Sequence, residues 1–176
     1  MWGVILKGSR IFLLEVVAFI FTVIVGSALH FTYELSGSNV IVGLFSAVNE
    51  SPWEHLKLAF VPVLLFGIIE YYYFNQTTNN LFLGKLVAFL TMAFIITGVY
   101  FGYYSFVGHP ILFVDITTFI LSALLGHYLS YKITSSTKEY KILNLLSVIC
   151  FIIIAIIFIH FTFNPGNSII FKPHHN

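Results

Sequence analysis

Charged residues are scarce in this chain of 176 residues: they make up 9% of it, against roughly a quarter in an average soluble protein. Hydrophobic residues make up 59%. Too few polar side chains remain to cover a water-soluble globule, so an ordinary soluble domain is excluded. The formal net charge is +1 and the basic residues are scattered. This excludes the basic patch that a nucleic-acid partner requires.

Cysteine is nearly absent as well. The single cysteine, Cys150, lies inside an apolar run, so neither an intrachain disulfide nor a cysteine metal cluster can form. The chain also lacks a glycine-rich phosphate loop and mid-span histidine pairs, which argues against a bound nucleotide, flavin or haem. Because no long hydrophilic stretch is present, we expect residues 1–176 to form a single membrane domain.

Long apolar runs fill most of the chain. A helix that crosses the hydrocarbon core needs about 20 mostly apolar residues, and five segments reach that length: 11–33, 53–74, 81–104, 111–132 and 141–163. The sequence therefore predicts an all-α polytopic membrane helix bundle with about five transmembrane helices. An apolar run at 39–48 is too short to span and predicts an interfacial or re-entrant helix in the first loop. Gly26, Gly98 and Gly102 are expected to allow close helix contacts.

Basic residues set the expected orientation. Five of them fall on one side of a chain that crosses the membrane five times: Lys7, Arg10, Lys132, Lys138 and Lys141. Lys85 lies near that side, whereas Lys57 falls on the other. The positive-inside rule makes the first side cytoplasmic. The amino terminus is therefore predicted inside, in a multi-pass protein of a cell membrane, in the first instance a prokaryotic plasma membrane.

Threading the five spans places four ionisable residues within about one helical turn, ~5 Å, of a single plane near the outer surface. They are His30, His55, Asp115 and His160. Imidazole and carboxylate groups suit zinc and other divalent transition metals, so these four are predicted metal ligands. Asp115, Glu50 and Glu54 are predicted to act catalytically, as bases on a bound water. The alternative is that each histidine is an interfacial residue that bonds a headgroup or a backbone carbonyl.

Two hypotheses explain the segment SPWEH at residues 51–55. Ser51 as the N-cap, Pro52 at the first helical position and Glu54 at the third would form a capping box, which leaves the histidine unexplained. The Ser-x-x-x-His spacing also resembles the first motif of the ceramidase and adiponectin-receptor-like membrane hydrolases. That resemblance implies a metal site completed by an aspartate, to which Asp115 corresponds. The chain lacks the later His-x-x-x-His pair and the seven spans of that superfamily.

A broader resemblance rests on residues 30–62, which include HFTYELSGSN and LFSAVNESPWEHLKLAFVP, and on HFTFNP at residues 160–165. These stretches resemble a domain-of-unknown-function family of small prokaryotic integral membrane proteins. The resemblance covers most of the chain. It implies no activity, partner or functional residue.

A second group of ionisable residues lies in the predicted inner half: Glu15, Glu70 and His127. They either pair across helices and relay protons, or are separate interfacial acids and a packed histidine. We favour a metal-dependent hydrolase acting on a lipid-like substrate, because imidazole and acid groups gather on one side. The alternatives are a small proton- or ion-coupled transporter or channel, and a non-catalytic scaffold or pH sensor. Membrane lipids are the expected partners in each case.

Overall fold

A computed structural model of the protein describes residues 2–73 and 80–173. In those ranges it contains six α-helices, one 3₁₀ helix and no strand. The α-helices are α1 (Trp2–Leu35), α2 (Val40–Gly43), α3 (Pro52–Tyr73), α4 (Leu81–Val107), α5 (Leu112–Thr134) and α6 (Lys141–Phe163), and the 3₁₀ helix is Ile169–Phe171.

Within the described chain, five helices are long and apolar enough to cross a membrane, namely all the α-helices except α2. These spans overlap the five predicted segments and differ from them by a few residues at their ends. The predicted polytopic α-helical bundle is therefore confirmed. Residue 74, the predicted end of the second span, lies outside the described residues.

The apolar run of the first loop forms the short helix α2, as predicted. Asn39 caps it, because its Oδ1 accepts a hydrogen bond from the Ile41 N–H at 2.9 Å. Gly43 holds α2 close to α1: a Cβ at this position would lie 3.1 Å from the Tyr33 ring. Val40 and Ile41 stay exposed, so α2 presents apolar side chains away from the bundle, as an interfacial helix does.

An aromatic core fills the space between α3, α4 and α6. The Phe60 ring lies at its centre and contacts Phe89, Phe151 and Phe158, with centroids 5.2, 5.8 and 5.1 Å away. Large apolar side chains also cover the outside of the bundle, where Phe94 is 78% exposed. Lipid solvates such a surface, whereas in water it would drive aggregation.

Small residues decide how closely the helices approach. A Cβ at Gly26 of α1 would lie 2.6 Å from the Leu58 carbonyl oxygen of α3 and 2.7 Å from the Phe119 ring of α5. Gly26 is therefore required for the contact of three helices, as expected. Gly98 and Gly102 have no described atom within 4 Å of such a Cβ, so the expectation of a close contact there is wrong. Both face outward, because α4 packs through its other sides.

Candidate functional site

His30, late in α1, and His55, in the first turn of α3, meet at one end of the bundle. We call it the first-loop end, since loop 36–51 lies there. Their Nε2 atoms are 3.1 Å apart and their rings stack with centroids 5.1 Å apart. Glu50, in the loop, places Oε2 3.5 Å from the His30 Nε2 and 3.4 Å from the His55 Nε2. We call these three donor atoms the triangle; the side chains are 29%, 31% and 57% exposed for His30, His55 and Glu50.

Two hydrogen bonds of Ser51 hold the turn that carries Glu50 into the start of α3. The Ser51 N–H donates to the Asn49 Oδ1 at 2.9 Å, and the Ser51 Oγ accepts from the Glu54 N–H at 3.4 Å. The second bond is one half of the predicted capping box, and Pro52 begins the helix as predicted. The other half of a capping box would be a hydrogen bond from the Ser51 N–H to the Glu54 carboxylate. Asn49 accepts that bond instead, because the Glu54 carboxylate is engaged elsewhere.

Glu54 forms a buried ion pair with Lys57, with an N–O distance of 2.6 Å and side-chain exposures of 2% and 1%. Its two oxygens also accept hydrogen bonds from the Val48 N–H at 3.1 Å and the Thr162 hydroxyl at 2.9 Å. Lys57 donates to the Gly43 carbonyl at 2.8 Å and to the Thr162 Oγ1 at 3.0 Å. Glu54, a predicted catalytic acid, therefore joins the first loop, α3 and α6 and lies outside the triangle.

The surroundings keep Glu50 negatively charged. Its hydrogen-bonding interaction with His55 lowers the pKa of Glu50, partial burial acts in the opposite direction, and the nearby His30 adds to the lowering. A carboxylate binds a metal in its ionised form. Glu50 is therefore ready to serve as a ligand at neutral pH.

The two remaining predicted ligands lie apart from the triangle. The Asp115 Oδ1, in the first turn of α5, accepts a hydrogen bond from the Tyr103 hydroxyl at 2.7 Å, and that hydroxyl accepts one from the Ile111 N–H at 3.1 Å. Asp115 is close enough to His55 for an electrostatic interaction. His160 is exposed and its ring contacts the neighbouring Phe161, with centroids 5.0 Å apart. The structure thus brings His30, His55 and Glu50 together, with Asp115 nearby.

The triangle has the dimensions of one face of a tetrahedral zinc site. Zinc binds histidine nitrogen and carboxylate oxygen at about 2.0–2.2 Å, so neighbouring ligand atoms of a tetrahedron are about 3.3–3.6 Å apart. The two separations from Glu50, 3.4 and 3.5 Å, lie in this range, and the separation of the two imidazole nitrogens, 3.1 Å, is slightly shorter. His30, His55 and Glu50 are therefore the group in the described chain whose donor atoms fit a metal ion.

A second cluster lies deep in the bundle, towards the opposite end, where residues 135–140 join α5 to α6. The Lys85 Nζ of α4 is 2.8 Å from the Glu15 Oε1 of α1 and 2.8 Å from the Glu70 Oε2 of α3. The His127 Nδ1 of α5 is 2.8 Å from the Glu15 Oε2. These four side chains, which we call the core cluster, are at most 3% exposed. The cross-helix pairing considered for Glu15 and His127 is present.

Partners are divided unequally between the two acids of the core cluster. Glu15 accepts hydrogen bonds from Lys85 at 2.8 Å, His127 at 2.8 Å and the Ser130 hydroxyl at 2.6 Å. Apart from the Lys85 ammonium group, whose Nζ lies 2.8 Å from its Oε2, Glu70 has no polar partner among the described residues. Lys85 therefore lies between the two acids, and Glu15 alone has further donors.

Sequence reasoning used Lys57 and Lys85 only to orient the spans. Both lysines lie inside helices and are at most 1% exposed. A signal for their role was available, because a lysine about one turn inside an apolar span is costly unless the bundle pairs it. That argument points to buried acids as partners, although it does not say which ones.

Comparison with known proteins gives a family without an activity. A model of the family of unknown function DUF6512 matches residues 4–176. No curated protein matches the chain, and no solved structure matches it. The chemistry of the site is therefore argued from its own geometry.

Proposed function

The chain belongs to the DUF6512 family, and we propose that it is a membrane-embedded, metal-dependent hydrolase whose metal is held by His30, Glu50 and His55. The observation that carries the proposal is the triangle, with separations of 3.1, 3.4 and 3.5 Å. A hydrogen bond between two imidazoles involves two atoms only. A carboxylate oxygen at nearly equal distances from both is the arrangement that a shared cation favours.

The type of site supports catalysis rather than a structural metal. Structural zinc sites are closed by four protein ligands, whereas catalytic sites have three and an open fourth position. The triangle offers two imidazoles and one carboxylate, and its side chains are between 29% and 57% exposed. Water therefore has access to the fourth position from the first-loop end.

Each group near the triangle has a place in the proposed reaction. A bound zinc ion would supply acidification of a water molecule and polarisation of a substrate carbonyl. As a ligand, Glu50 would reduce the net positive charge of the metal centre. Asp115 interacts electrostatically with His55 from outside the triangle, and we assign it the role of proton acceptor. Tyr103 fixes its orientation through the 2.7 Å hydrogen bond.

A lipid-like substrate suits the surroundings of the triangle. An apolar groove of about 490 Å³ runs between α1 and α2 on the part of α1 that carries His30. Its lining residues are Leu29, Thr32, Leu35, Ser36, Ile41, Val42 and Phe45. An acyl chain lying in this groove would place its ester or amide head group at about the same level along α1 as His30. This supports lateral entry from the membrane.

The metal content of the purified protein tests the proposal. Wild type, His30→Ala, His55→Ala and His160→Ala are purified in detergent with zinc supplied, each without the terminal His174 and His175. We expect about one metal ion per chain in the wild type and in His160→Ala, and loss of the metal in the other two. A folded wild type without metal would overturn the proposal.

A hydrolase assay then separates catalysis from metal binding alone. Zinc-loaded wild type is incubated with vesicles that contain ester-linked or amide-linked lipids, and the released fatty acid is measured. We expect release that disappears with a chelator, returns with zinc and is strongly reduced in Asp115→Asn. The protein could also bind one metal ion per chain and release fatty acid from neither lipid class. That result would support the metal site and exclude hydrolysis of these lipids.

A further inference from the structure

The core cluster contains two acids and one lysine, all of them buried in this conformation. Glu15, Glu70, Lys85 and His127 are at most 3% exposed. With both acids ionised, Lys85 charged and His127 neutral, the cluster carries one net negative charge. A net charge inside a membrane bundle is costly, and a buried group takes up a proton to avoid it.

We propose that Glu70 binds this proton, and that the core cluster is a proton-binding site reached from the end of the bundle opposite the first loop. The proposal does not depend on the metal site. Its ligand is a proton taken from the aqueous phase, and no co-reactant is needed. One proton is bound per chain, on a carboxylate oxygen of Glu70.

Hydrogen bonds assign the proton to Glu70 rather than to Glu15. A carboxylate that accepts several hydrogen bonds is stabilised in its ionised form, and Glu15 accepts three, from Lys85, His127 and Ser130. Among the described residues, Lys85 is the single donor within reach of Glu70, at 2.8 Å. The ionised form of Glu70 would therefore be stabilised by the ion pair with Lys85 alone, and Lys85 already donates to Glu15.

The bonds of His127 are satisfied in its neutral form. The Nδ1–H donates to the Glu15 Oε2 at 2.8 Å, and the Nε2 is 3.0 Å from the Thr22 hydroxyl, which donates to it. The titratable groups near Glu70 are thus Glu15 of α1, Lys85 of α4 and His127 of α5. Among the described residues, no side chain of α6 forms a hydrogen bond or an ion pair with the core cluster. This helix packs mainly against α4.

Helix positions determine the side from which the proton arrives. Glu70 is three residues before the end of α3 and Lys85 is four residues after the start of α4, which is about one turn, ~5 Å, from that end of the bundle. On the other side, Gly26 brings α1 into contact with Leu58 and Phe119. This packing separates the core cluster from the triangle in this conformation.

Proton loss would change how the two acids share Lys85. In the structure the Lys85 Nζ lies 2.8 Å from an oxygen of each acid. An ionised Glu70 would compete for the same ammonium group and draw it towards α3. A proton bound to Glu70 would therefore weaken the link between α4 and α3 relative to the link between α4 and α1.

Infrared difference spectroscopy tests the proposal directly. Protein in lipid vesicles is compared between neutral and strongly alkaline buffer, with glutamate labelled with ¹³C to identify the carboxyl band. We expect a protonated-carboxyl C=O band in the wild type that disappears at alkaline pH, and that is missing from Glu70→Gln at both pH values. Glu139→Gln, which removes an exposed acid, should keep the band.

Two results would overturn the proposal. One is a wild-type spectrum without a protonated glutamate band at neutral pH, and the other is a band that persists in folded Glu70→Gln. If Glu70→Gln fails to fold, ¹⁵N NMR of His127 in the wild type decides the question. A neutral imidazole with a protonated Nδ1 supports the proposal, whereas an imidazolium at neutral pH places the extra proton on His127 and overturns it.

Discussion

The Nε2 atoms of His30 and His55 lie 3.1 Å apart, although the two residues are separated by 25 positions in the chain. They meet because α1 and α3 run antiparallel, so that the end of the first faces the start of the second. The loop that reverses the chain also carries Glu50. Two neighbouring spans and their connection therefore supply every ligand of the proposed metal centre.

Removal of the Glu50 charge should weaken metal binding without abolishing it. In Glu50→Gln we expect zinc affinity to fall by at least the roughly one to two orders of magnitude that loss of an outer-shell partner costs, because Glu50 is a direct ligand; binding is not abolished, because the two imidazoles remain. Competition with a zinc-chelating dye measures the affinity. The matched control is Glu34→Gln, which removes an exposed acid of α1 outside the triangle. Equal affinities in wild type and Glu50→Gln would contradict the assignment.

Mild acidification should not release the metal through Glu50. Because its neighbours lower the pKa of Glu50, this carboxylate stays ionised as pH falls, and its favourable interactions are lost only below its ordinary range. The pH at which half of the zinc affinity is lost should therefore be the same for wild type and Glu50→Gln. A midpoint that moves with the Glu50 substitution would make Glu50 the titrating group.

The sequence was sufficient for the architecture, because length and apolar content alone decide which segments cross a membrane. It was also sufficient for the short helix α2, because the apolar run of the first loop is too short to span the membrane. Side-chain direction is harder to predict, since depth along a helix says nothing about which face a residue occupies. Phe158 and His160 illustrate this: they lie within one turn of α6, yet Phe158 is 3% exposed and His160 faces outward.

The candidate site shows the same limit. Threading placed His30, His55 and Asp115 near one plane, and the structure has them at the first-loop end. Glu50 and Glu54 could not be separated from the sequence, because both lie beside the start of α3. Their environments differ through tertiary contacts: Glu54 pairs with Lys57 one turn further on and with Thr162 of α6, which leaves Glu50 for the histidines.

Adding a methyl group at Gly26 should destabilise the bundle. A Cβ there would lie 2.6 Å from the Leu58 carbonyl oxygen, so α1 and α3 must move apart. We expect Gly26→Ala to lower the free energy of unfolding by about 1–3 kcal/mol, as overpacking does. Unfolding in detergent, followed by circular dichroism, measures it. Gly98→Ala is the control, and its stability should be unchanged or slightly raised because alanine favours the helix. Equal losses in both variants would show that the effect is not one of packing.

The free energy of unfolding should be especially sensitive to substitutions in the core cluster. Lys85→Met removes the cation between Glu15 and Glu70, so Glu15 either stays charged with only neutral donors as partners or takes up a proton. Breaking a buried ion pair in this way costs about 3–5 kcal/mol. We expect a loss of this size in the free energy of unfolding, measured by chemical denaturation in detergent.

The double variant Glu15→Gln/Lys85→Met distinguishes a lost charge pair from a lost side-chain volume. It removes both charges and retains groups that can bond His127 and Ser130, so it should recover at least half of the stability that Lys85→Met loses. Residues in one ionic network couple in this non-additive way. If the two substitutions instead add, the pairing of Lys85 with Glu15 contributes little to stability, and the loss in Lys85→Met comes from packing.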